Sequence, residues 1–349
     1  MIDYRKLYQD YENDNIYSIQ LEVGDSCYQG CIYCYMNAVE NEKNTLSDKE
    51  INQILTDAKK LGVTAVEWLG GEPLIRKSIF KHMSTAKKCG FKNNIWTGGL
   101  PLADEFILKK TVKYADPGLI SIHVSTVDPK VYSCLHPGRK KDDLKVILSS
   151  VENLLDSGYP NSNILNSVTF TGLQTAEDMI QTIDYFDNKY GIKTSLNVYH
   201  TYLRPGLLES DLERFIPKKN EVAKVYKHYS KHCGVTQLPM NCVNKQYCSA
   251  TVAILCDGSV TPCATIREKN SPNIHRDGSF YDIFLKNRDY LVFKKLKNKN
   301  NLPKDCISCE LSDKCWGCRS RAYASGNGIY GKDPRCFRKK EIEGIKKPC

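Results

Sequence analysis

The sequence contains no long hydrophobic run, no low-complexity segment and few methionines or tryptophans. Its 349 residues include only 5 methionines and 3 tryptophans. The longest apolar stretches, such as residues 251–256, are much shorter than the ~20 residues that a membrane-spanning helix needs. The first residues are polar and lack the apolar core of a secretory signal. These absences predict a cytoplasmic protein rather than a membrane or exported one. The hydrophobic content of 41% excludes a disordered or fibrous chain.

Positive charge exceeds negative charge, but it is not concentrated in one place. The chain has 50 lysines and arginines against 40 aspartates and glutamates, a formal net charge of +10. Short basic runs occur at 139–141 and 338–340, and no basic stripe alternates with aromatic residues. A nucleic-acid-binding surface typically shows such a stripe. The charge therefore favours a solvated surface, and neither nucleic acid nor a membrane is expected as a partner.

Short apolar runs alternate with helical patterns through the first two thirds of the chain. Ser47 and Glu50 form a capping box that opens one helix, and Gly62 ends it. Alternating strands and helices predict a parallel sheet with crossover helices. We predict an α/β fold with a partial (β/α)6 TIM-like barrel. Its strands are expected at 16–23, 63–69, 94–97, 119–125, 164–171 and 195–202, with helices between them, for example at 142–155 and 176–190.

The alternation stops after residue 207, which predicts a change of domain. We divide the chain into an N-terminal extension (1–15), the partial barrel (16–207), a helical bridge (208–240) and a C-terminal domain (241–349). Asp257-Gly258 predicts a two-residue type I′ hairpin turn in that last domain. The remainder of the domain is rich in loops and cysteines. It has little apolar core of its own, and we expect bound metal to stabilise it.

Sixteen cysteines are the most unusual feature of the composition. Three of them, Cys27, Cys31 and Cys34, follow the first predicted strand with the spacing C-x3-C-x2-C. Three thiolates on one short loop can bind three irons of a [4Fe–4S] cluster and leave the fourth iron open for another molecule. Zinc normally takes a fourth protein ligand, and no histidine lies nearby in the sequence to supply one. Three buried structural cysteines remain the alternative.

This motif, with Tyr33 before its last cysteine, resembles the signature of radical S-adenosylmethionine (SAM) enzymes. Gly70-Gly71-Glu72-Pro73, at the end of the second predicted strand, is similar to the GGEP motif of that family. Gly70 and Gly71 would expose backbone to the methionine ammonium of SAM, and Glu72 would help to position it. Ser125 resembles a serine of the fourth strand that contacts the cofactor, and a simple turn residue is the alternative. The resemblance covers residues 16–205 and implies SAM contacts from Tyr33, Gly70, Gly71, Glu72, Pro73 and Ser125.

The resemblance also implies a reaction. An electron delivered by an external donor, such as flavodoxin or ferredoxin, would enter the cluster and cleave the sulfonium bond of SAM. The resulting 5′-deoxyadenosyl radical would take a hydrogen atom from an unactivated position of the substrate. The cofactor carries this chemistry, and the protein orients the substrate and excludes water. Because an open iron is sensitive to oxygen, an anaerobic setting is expected.

The C-terminal cysteines carry a second resemblance. Cys248-x9-Gly258-x4-Cys263 and the run of four cysteines from Cys306 to Cys318 are similar to the SPASM extension of radical SAM enzymes. That extension holds two auxiliary [4Fe–4S] clusters, so three clusters are implied in all. One auxiliary ligand set would be Cys242, Cys248, Cys263 and Cys318, and the other Cys306, Cys309, Cys315 and Cys336. The family commonly has three residues between the penultimate pair, whereas two lie between Cys315 and Cys318 here. A pair of zinc ribbons is the alternative.

The remaining cysteines do not belong to either motif, and we predict ordinary roles for them. They are Cys89, Cys134, Cys233, Cys256 and Cys349. His123, His200 and Tyr202 lie on predicted strands whose inner faces could line a substrate cavity, although buried, hydrogen-bonded polar residues are the default. No catalytic acid or base is predicted.

The sequence predicts a radical SAM enzyme of the SPASM type that modifies a peptide or protein by crosslinking, epimerisation or oxidation. The first alternative is oxidation or rearrangement of a small molecule, such as a tetrapyrrole, a sugar or a cofactor precursor. Two alternatives belong to other classes: a zinc-ribbon protein that binds nucleic acid, and a scaffold protein whose clusters only stabilise its fold.

Overall fold

A computed structural model describes residues 2–38, 40, 43–199, 213–233, 238 and 240–336. Six parallel strands alternate with helices through the first part of the chain. The strands are β1 (Ser18–Glu22), β2 (Ala65–Leu69), β3 (Lys92–Thr97), β4 (Ile120–His123), β5 (Ile164–Phe170) and β6 (Lys193–Val198). The helices are α1 (Tyr4–Glu12), α2 (Asp48–Lys60), α3 (Ile79–Lys88), α4 (Glu105–Ala115), α5 (Pro129–Leu135), α6 (Asp143–Asp156), α7 (Ala176–Tyr190) and α8 (Lys219–Cys233). All six predicted strands are confirmed.

The capping box at the start of α2 is confirmed. The Ser47 hydroxyl accepts from the Glu50 amide at 3.2 Å, and the Glu50 carboxylate accepts from the Ser47 amide at 2.7 Å. Gly62 follows the helix with φ of +72°, a left-handed conformation that glycine adopts without strain. The sequence signals therefore define both ends of this helix.

The sheet is open, as expected for a partial barrel. Its strand order is β6-β5-β4-β3-β2-β1-β7-β8, where β7 (Thr251–Ile254) and β8 (Val260–Thr261) come from the C-terminal part of the chain. β7 runs parallel to β1, with Ser18 opposite Thr251 and Leu21 opposite Ile254. The predicted C-terminal domain thus continues the barrel sheet on its β1 side, which the sequence did not indicate.

The predicted hairpin about Asp257-Gly258 is confirmed by the antiparallel pairing of β7 with β8, but its predicted type I′ turn is wrong. The Leu255 amide donates to the Ser259 carbonyl at 2.8 Å, which leaves a three-residue loop between them. Gly258 has φ of +84°, whereas Asp257 is not among the residues with positive φ. A type I′ turn needs positive φ at both central residues, and a three-residue loop needs it only at the glycine. Asp257 retains an ordinary backbone conformation.

The two faces of the sheet differ in polarity. Outward-facing residues of the strands, such as Ile19, Leu21, Val66 and Trp68, pack against the surrounding helices in the largest apolar core. Inward-facing positions carry hydroxyls, amides and other polar groups instead. Burying apolar side chains on the helix side supplies the main stabilising term, so the inner face is available for function.

The N-terminal extension and the C-terminal part pack together behind the barrel. Leu7 of α1 contacts Tyr17 and Ala250 in a small apolar cluster. The ammonium of Lys297 lies 2.6 Å from the Asp14 carboxylate. Among the residues that the structure describes, no helix is long and apolar enough to cross a membrane.

The C-terminal part adds a second apolar core and several short helices. They are α9 (Lys245–Ser249), α10 (Phe280–Leu291), α11 (Lys294–Lys297), α12 (Lys304–Ile307) and α13 (Arg319–Ala322). Phe293 and Trp316 pack edge to face in this core, with ring centroids 5.8 Å apart. Several cysteines belong to the same core. The domain boundaries proposed from the sequence stay a prediction.

Candidate active site

The three cysteines after β1 lie on a loop of residues 24–38, here called the cysteine loop. The thiols of Cys27, Cys31 and Cys34 line a cavity of about 330 Å³ at the carboxyl ends of the barrel strands. Burial raises the pKa of the Cys27 thiol to about 12, and the nearby Glu72 carboxylate adds to this rise. Burial likewise raises the pKa of Cys31. The free thiols of Cys27 and Cys31 are therefore protonated at neutral pH, and binding iron would displace their protons.

Gly70 and Gly71 press against the backbone of the cysteine loop. A Cβ on Gly71 would lie 2.0 Å from the carbonyl oxygen of Ser26, and one on Gly70 2.5 Å from that of Gly24. The Gly71 amide donates to the Gly24 carbonyl at 2.9 Å, and the Glu72 amide to the Ser26 carbonyl at 2.7 Å. These two amides donate to the cysteine loop. Because Gly70 and Gly71 have no Cβ, their backbone can approach the loop closely. Their contact with SAM stays a prediction.

The Glu72 side chain joins the loops that follow β2 and β3. Its carboxylate accepts from the Leu74 amide at 3.0 Å, the Thr97 hydroxyl at 2.8 Å and the Gly98 amide at 2.7 Å. Burial raises the Glu72 pKa to about 7. Pro73 begins a short 3₁₀ turn that the same carboxylate caps. A role of Glu72 or Pro73 in binding SAM remains a prediction.

Tyr33 and His123 form one part of the cavity wall, and Ser125 lies behind them. The Tyr33 hydroxyl is 2.8 Å from Nε2 of His123 and 3.1 Å from Oγ of Ser125. Ser125 Oγ also accepts from the Thr169 amide at 3.0 Å. Burial lowers the His123 pKa to about 4, so its ring is neutral at physiological pH. Ser125 is fully buried and does not line the cavity, and its proposed contact with the cofactor stays a prediction.

The inner face of the sheet supplies most of the remaining wall. Its side chains bear hydroxyls, amides, an indole and an imidazole, together with one apolar leucine. The described strand residues that line the cavity are Gln20, Leu69, Trp96, Thr97, Ser121, His123, Ser167, Thr169 and Asn197. Glu67, just beyond the wall, accepts from the indole of Trp96 at 2.8 Å and from the hydroxyl of Tyr247 at 2.8 Å. The described wall of the barrel is therefore polar and uncharged.

Four C-terminal cysteines line the same cavity from the other side. This cavity group consists of Cys242, Cys248, Cys263 and Cys318. The Cys248 thiol is within hydrogen-bonding contact of Cys242 and raises its pKa, and burial raises it further. Cys263 and Cys318 are close enough to act on Cys242 electrostatically. Chain segments that are distant in sequence thus bring four thiols together.

The other four predicted ligands form a separate group, here called the outer group. It consists of Cys306, Cys309, Cys315 and Cys336, none of which lines the cavity. Burial raises the pKa of Cys306 to about 11 and that of Cys315 to about 12, and Cys336 acts on both electrostatically. The division into two sets of four therefore matches the neighbours found in the folded chain, while the ligand roles themselves stay predictions.

The donor chemistry at these places suits iron–sulfur clusters, because thiolates are their usual ligands. Within the described residues, no three His, Cys, Asp or Glu side chains lie close enough together to hold a single metal ion. A cluster of four irons places its thiolates farther apart, each on its own iron. When bound, a cluster and SAM would supply the radical chemistry, and Cys27, Cys31 and Cys34 would hold that cluster.

The remaining candidates fall outside these groups. Cys134 is exposed, Cys89 half-buried and Cys256 buried, as expected for residues without a ligand role. His200, Tyr202 and Cys349 lie outside the described residues, as does the side chain of Cys233. Sequence reasoning missed Glu67, Trp96 and Arg319. Polar residues at alternate strand positions would have indicated the first two, whereas no sequence signal separates Arg319 from other basic residues.

Comparison with known proteins agrees with this geometry. Residues 21–186 match the model of the Radical SAM superfamily. A protein named probable GTP 3′,8-cyclase, from Methanothermobacter thermautotrophicus, is 24% identical over 273 residues, which are 73% of this chain and 86% of that protein. The GTP 3′,8-cyclase of Clostridium acetobutylicum is 29% identical over 210 residues, covering 60% of this chain and 54% of that protein.

Two solved structures share the fold. Streptococcus suis SuiB bound to S-adenosylmethionine has a TM-score of 0.67 at 17% identity, over 95% of this chain and 80% of that one. Native anSMEcpe with bound AdoMet and a peptide has a TM-score of 0.69 at 16% identity, over 93% and 94%. Three observations point to the same family. The three cysteines have the radical SAM spacing, the glycine pair packs beneath their loop, and the sequence matches the family model. Residues 21–186 are therefore a radical SAM domain, and the family match implies SAM and a [4Fe–4S] cluster as its cofactors.

Proposed function

We propose that this enzyme modifies a peptide or protein. The observation that carries the proposal is the cavity wall, which presents amides and hydroxyls and, among its described residues, no charged side chain apart from Arg319 and the cysteine thiols. Amide side chains such as Gln29, Asn197 and Asn241 face it together with the hydroxyls of Ser167 and Thr169. Amides and hydroxyls donate and accept hydrogen bonds without a net charge, and these are the groups that a peptide backbone requires. Cys27, Cys31 and Cys34 lie on the same cavity and would place the radical beside such a substrate.

The structural neighbours support a peptide substrate. SuiB has been crystallised with its precursor peptide SuiA, and anSMEcpe with bound peptides. The identities of 16–18% mean that these structures share the fold and do not by themselves establish the substrate. Together with the uncharged wall, they favour a peptide over other neutral molecules.

The proposal includes two auxiliary [4Fe–4S] clusters in a SPASM domain, one held by the cavity group and one by the outer group. Four thiolates would saturate each cluster and leave no open iron. Such clusters transfer electrons or tune redox chemistry rather than bind substrate. The electron donor would be a separate protein, such as flavodoxin or ferredoxin. We propose that the enzyme acts in the cytoplasm under anaerobic conditions.

A nucleoside triphosphate is the rival substrate, because relatives in sequence are named GTP 3′,8-cyclase. A triphosphate carries several negative charges and needs lysine or arginine partners. Among the described residues that line the cavity, Arg319 is the only basic side chain other than histidine. Four of the five N–H groups on its guanidinium already donate to backbone carbonyls. The described wall therefore suits a neutral substrate better than GTP.

Product analysis under anaerobic conditions separates the two substrates. The reconstituted enzyme would be incubated with SAM, dithionite and either GTP or peptides encoded beside its gene. We expect 5′-deoxyadenosine to form faster with one peptide, and mass spectrometry to show a change in that peptide. Conversion of GTP, with no change in any peptide, would contradict the proposal. The variant Cys31→Ala is the control for radical chemistry.

Asn197→Asp sharpens the same test, because it places a negative charge on the neutral wall. A peptide without acidic residues should still be modified, with a several-fold higher KM. GTP would be repelled, and its conversion should fall much further. Asn161→Asp, at an exposed position of a short turn, is the matched control for the added charge.

A further inference from the structure

Arg319 is a buried cation whose guanidinium makes no ion pair with a carboxylate among the described residues. It is 1% exposed and begins α13 directly after Cys318. Its guanidinium donates to the carbonyls of Ile329 at 3.0 Å and Gly331 at 2.8 Å, and also to that of Trp316. These contacts satisfy hydrogen bonding but do not neutralise the charge. A buried charge is costly unless an opposite charge lies nearby.

Thiols from both C-terminal groups surround this cation. Arg319 lines the cavity beside Cys248 and Cys318 of the cavity group. These two thiols, Cys306 of the outer group and the Asp333 carboxylate all lie close enough to act on the guanidinium electrostatically. One guanidinium therefore acts on two thiol groups that do not share a ligand.

The neighbouring Arg321 differs from Arg319 in this respect. Arg321 is equally buried, but its guanidinium lies 2.8 Å from the Asp333 carboxylate. Asp333 also accepts from the Cys318 amide at 2.8 Å. Asp333 is thus ion-paired with Arg321 and also acts on Arg319 electrostatically, so one carboxylate serves two arginines and the three side chains leave one net positive charge beside the thiol groups.

Local backbone geometry makes room for the Arg319 guanidinium. Gly317 has φ of +74°, and a Cβ there would lie 2.9 Å from Nη2 of Arg319 and 2.7 Å from Cβ of Asp333. Only glycine fits this position without displacing one of the two charged side chains. The two-residue step between Cys315 and Cys318 therefore contains the residue that lets the cation approach.

We propose that Arg319 is a fixed positive charge shared by both C-terminal cluster sites, and that it raises the reduction potentials of the clusters bound there. The inference rests on the proposed function, which assigns a cluster to each group. A cluster that accepts one electron gains one negative charge, and a nearby cation stabilises that reduced state. Net charge and burial are the terms by which proteins set such potentials. Arg319 is a positioning residue in this scheme, because it acts through the charge of the clusters.

The test is a redox titration of the reconstituted full chain, followed by electron paramagnetic resonance. In Arg319→Gln, we expect the midpoint of at least one C-terminal cluster to fall by about 59 mV, a tenfold change in a one-electron equilibrium. Asp333→Asn removes a negative charge from the same place and should shift a midpoint in the opposite direction. Arg319→Lys retains the charge and should shift it least. The signal that changes on adding SAM identifies the N-terminal cluster, whose midpoint should move less.

Each other outcome has a distinct meaning. Unchanged midpoints in Arg319→Gln and Asp333→Asn, at full iron content, would overturn the inference and leave the proposed clusters intact. Shifts of the same sign in both variants would also overturn it, because a charge effect must reverse. Loss of iron in both variants but not in Arg319→Lys would assign a structural role and overturn it as well. Zinc instead of iron in the unaltered protein would refute the clusters themselves.

Discussion

The N-terminal and C-terminal cysteines are held in different ways. The three N-terminal thiols lie on one loop, and backbone hydrogen bonds to Gly71 and Glu72 fix that loop against the barrel. The eight C-terminal thiols come from separate segments, and three of them act on buried arginines. The N-terminal loop offers three predicted ligands, and each of the two C-terminal groups offers four.

This difference indicates how one protein separates two tasks. In the proposed function, three thiolates on a loop beside a cavity leave one iron free for SAM. The loop must then be held rigidly by the backbone packed beneath it, while its cavity side stays open to SAM. Four thiolates in a buried group leave no free iron, and there the surrounding charges matter most. The following experiments test this division, starting with the largest expected effect.

Replacing one cysteine in each region should separate the two tasks completely. Cys31→Ala should abolish formation of 5′-deoxyadenosine and remove about four irons per chain. Cys315→Ala should remove about the same amount of iron from the outer group but still allow SAM cleavage with dithionite. Iron analysis and product chromatography measure both. Cys134→Ala, exposed and outside all three groups, should change neither, and SAM cleavage by Cys31→Ala would refute the assignment.

Gly71→Ala should damage the N-terminal site by a steric effect alone. Its Cβ would lie 2.0 Å from the Ser26 carbonyl, so the cysteine loop must move. We expect a loss of about 1–3 kcal/mol in the free energy of unfolding, as for overpacked sites, and weaker iron binding at the N-terminal site. Gly90→Ala is the control, because its added Cβ meets nothing within 4 Å and its positive φ costs only about 1 kcal/mol. Equal iron content in both variants would contradict this account.

Glu72 should make stability fall as the pH rises from about 4.5 to 7. Burial raises its pKa to about 7 in the folded protein, from an ordinary value of 4.5. Between these values the unfolded carboxyl ionises while the folded one keeps its proton, so folding is penalised by about 1.4 kcal/mol per pKa unit. Urea midpoints measured across this range should fall more steeply than in Glu72→Gln. Parallel curves for the two proteins would show that Glu72 does not titrate in this way.

The smallest effect is expected for Tyr33→Phe. It removes the hydroxyl that contacts His123 and Ser125 but keeps the buried ring. We expect a loss of about 1 kcal/mol in stability, typical of one hydrogen bond, and SAM cleavage that is retained at a reduced rate. Because burial lowers the His123 pKa to about 4, neither protein should show a histidine transition near pH 6.5. A transition there in the pH–rate profile of Tyr33→Phe would mean that His123 becomes solvated.

Much of the barrel was predictable because its signals are local. The Ser47–Glu50 capping box and the six strands need only neighbouring residues and the period of the apolar pattern. The hairpin turn was mispredicted, since Asp-Gly fits both two- and three-residue loops and the strand register decides between them. The pairing of β7 with β1 was not predicted, because it joins segments separated by most of the chain.

The sequence alone determined the chemistry of this protein: the C-x3-C-x2-C spacing, the glycine pair and the cysteine count indicate SAM and an iron–sulfur cluster. Motif spacing carries this information because ligands of one site lie on one short loop. Tertiary structure decided the rest. It placed the cavity group opposite the cysteine loop, left the barrel wall without charge and enclosed Arg319 between two thiol groups. These features depend on distances between residues that are remote in the chain, and such distances exist only once the sheet and its loops have packed.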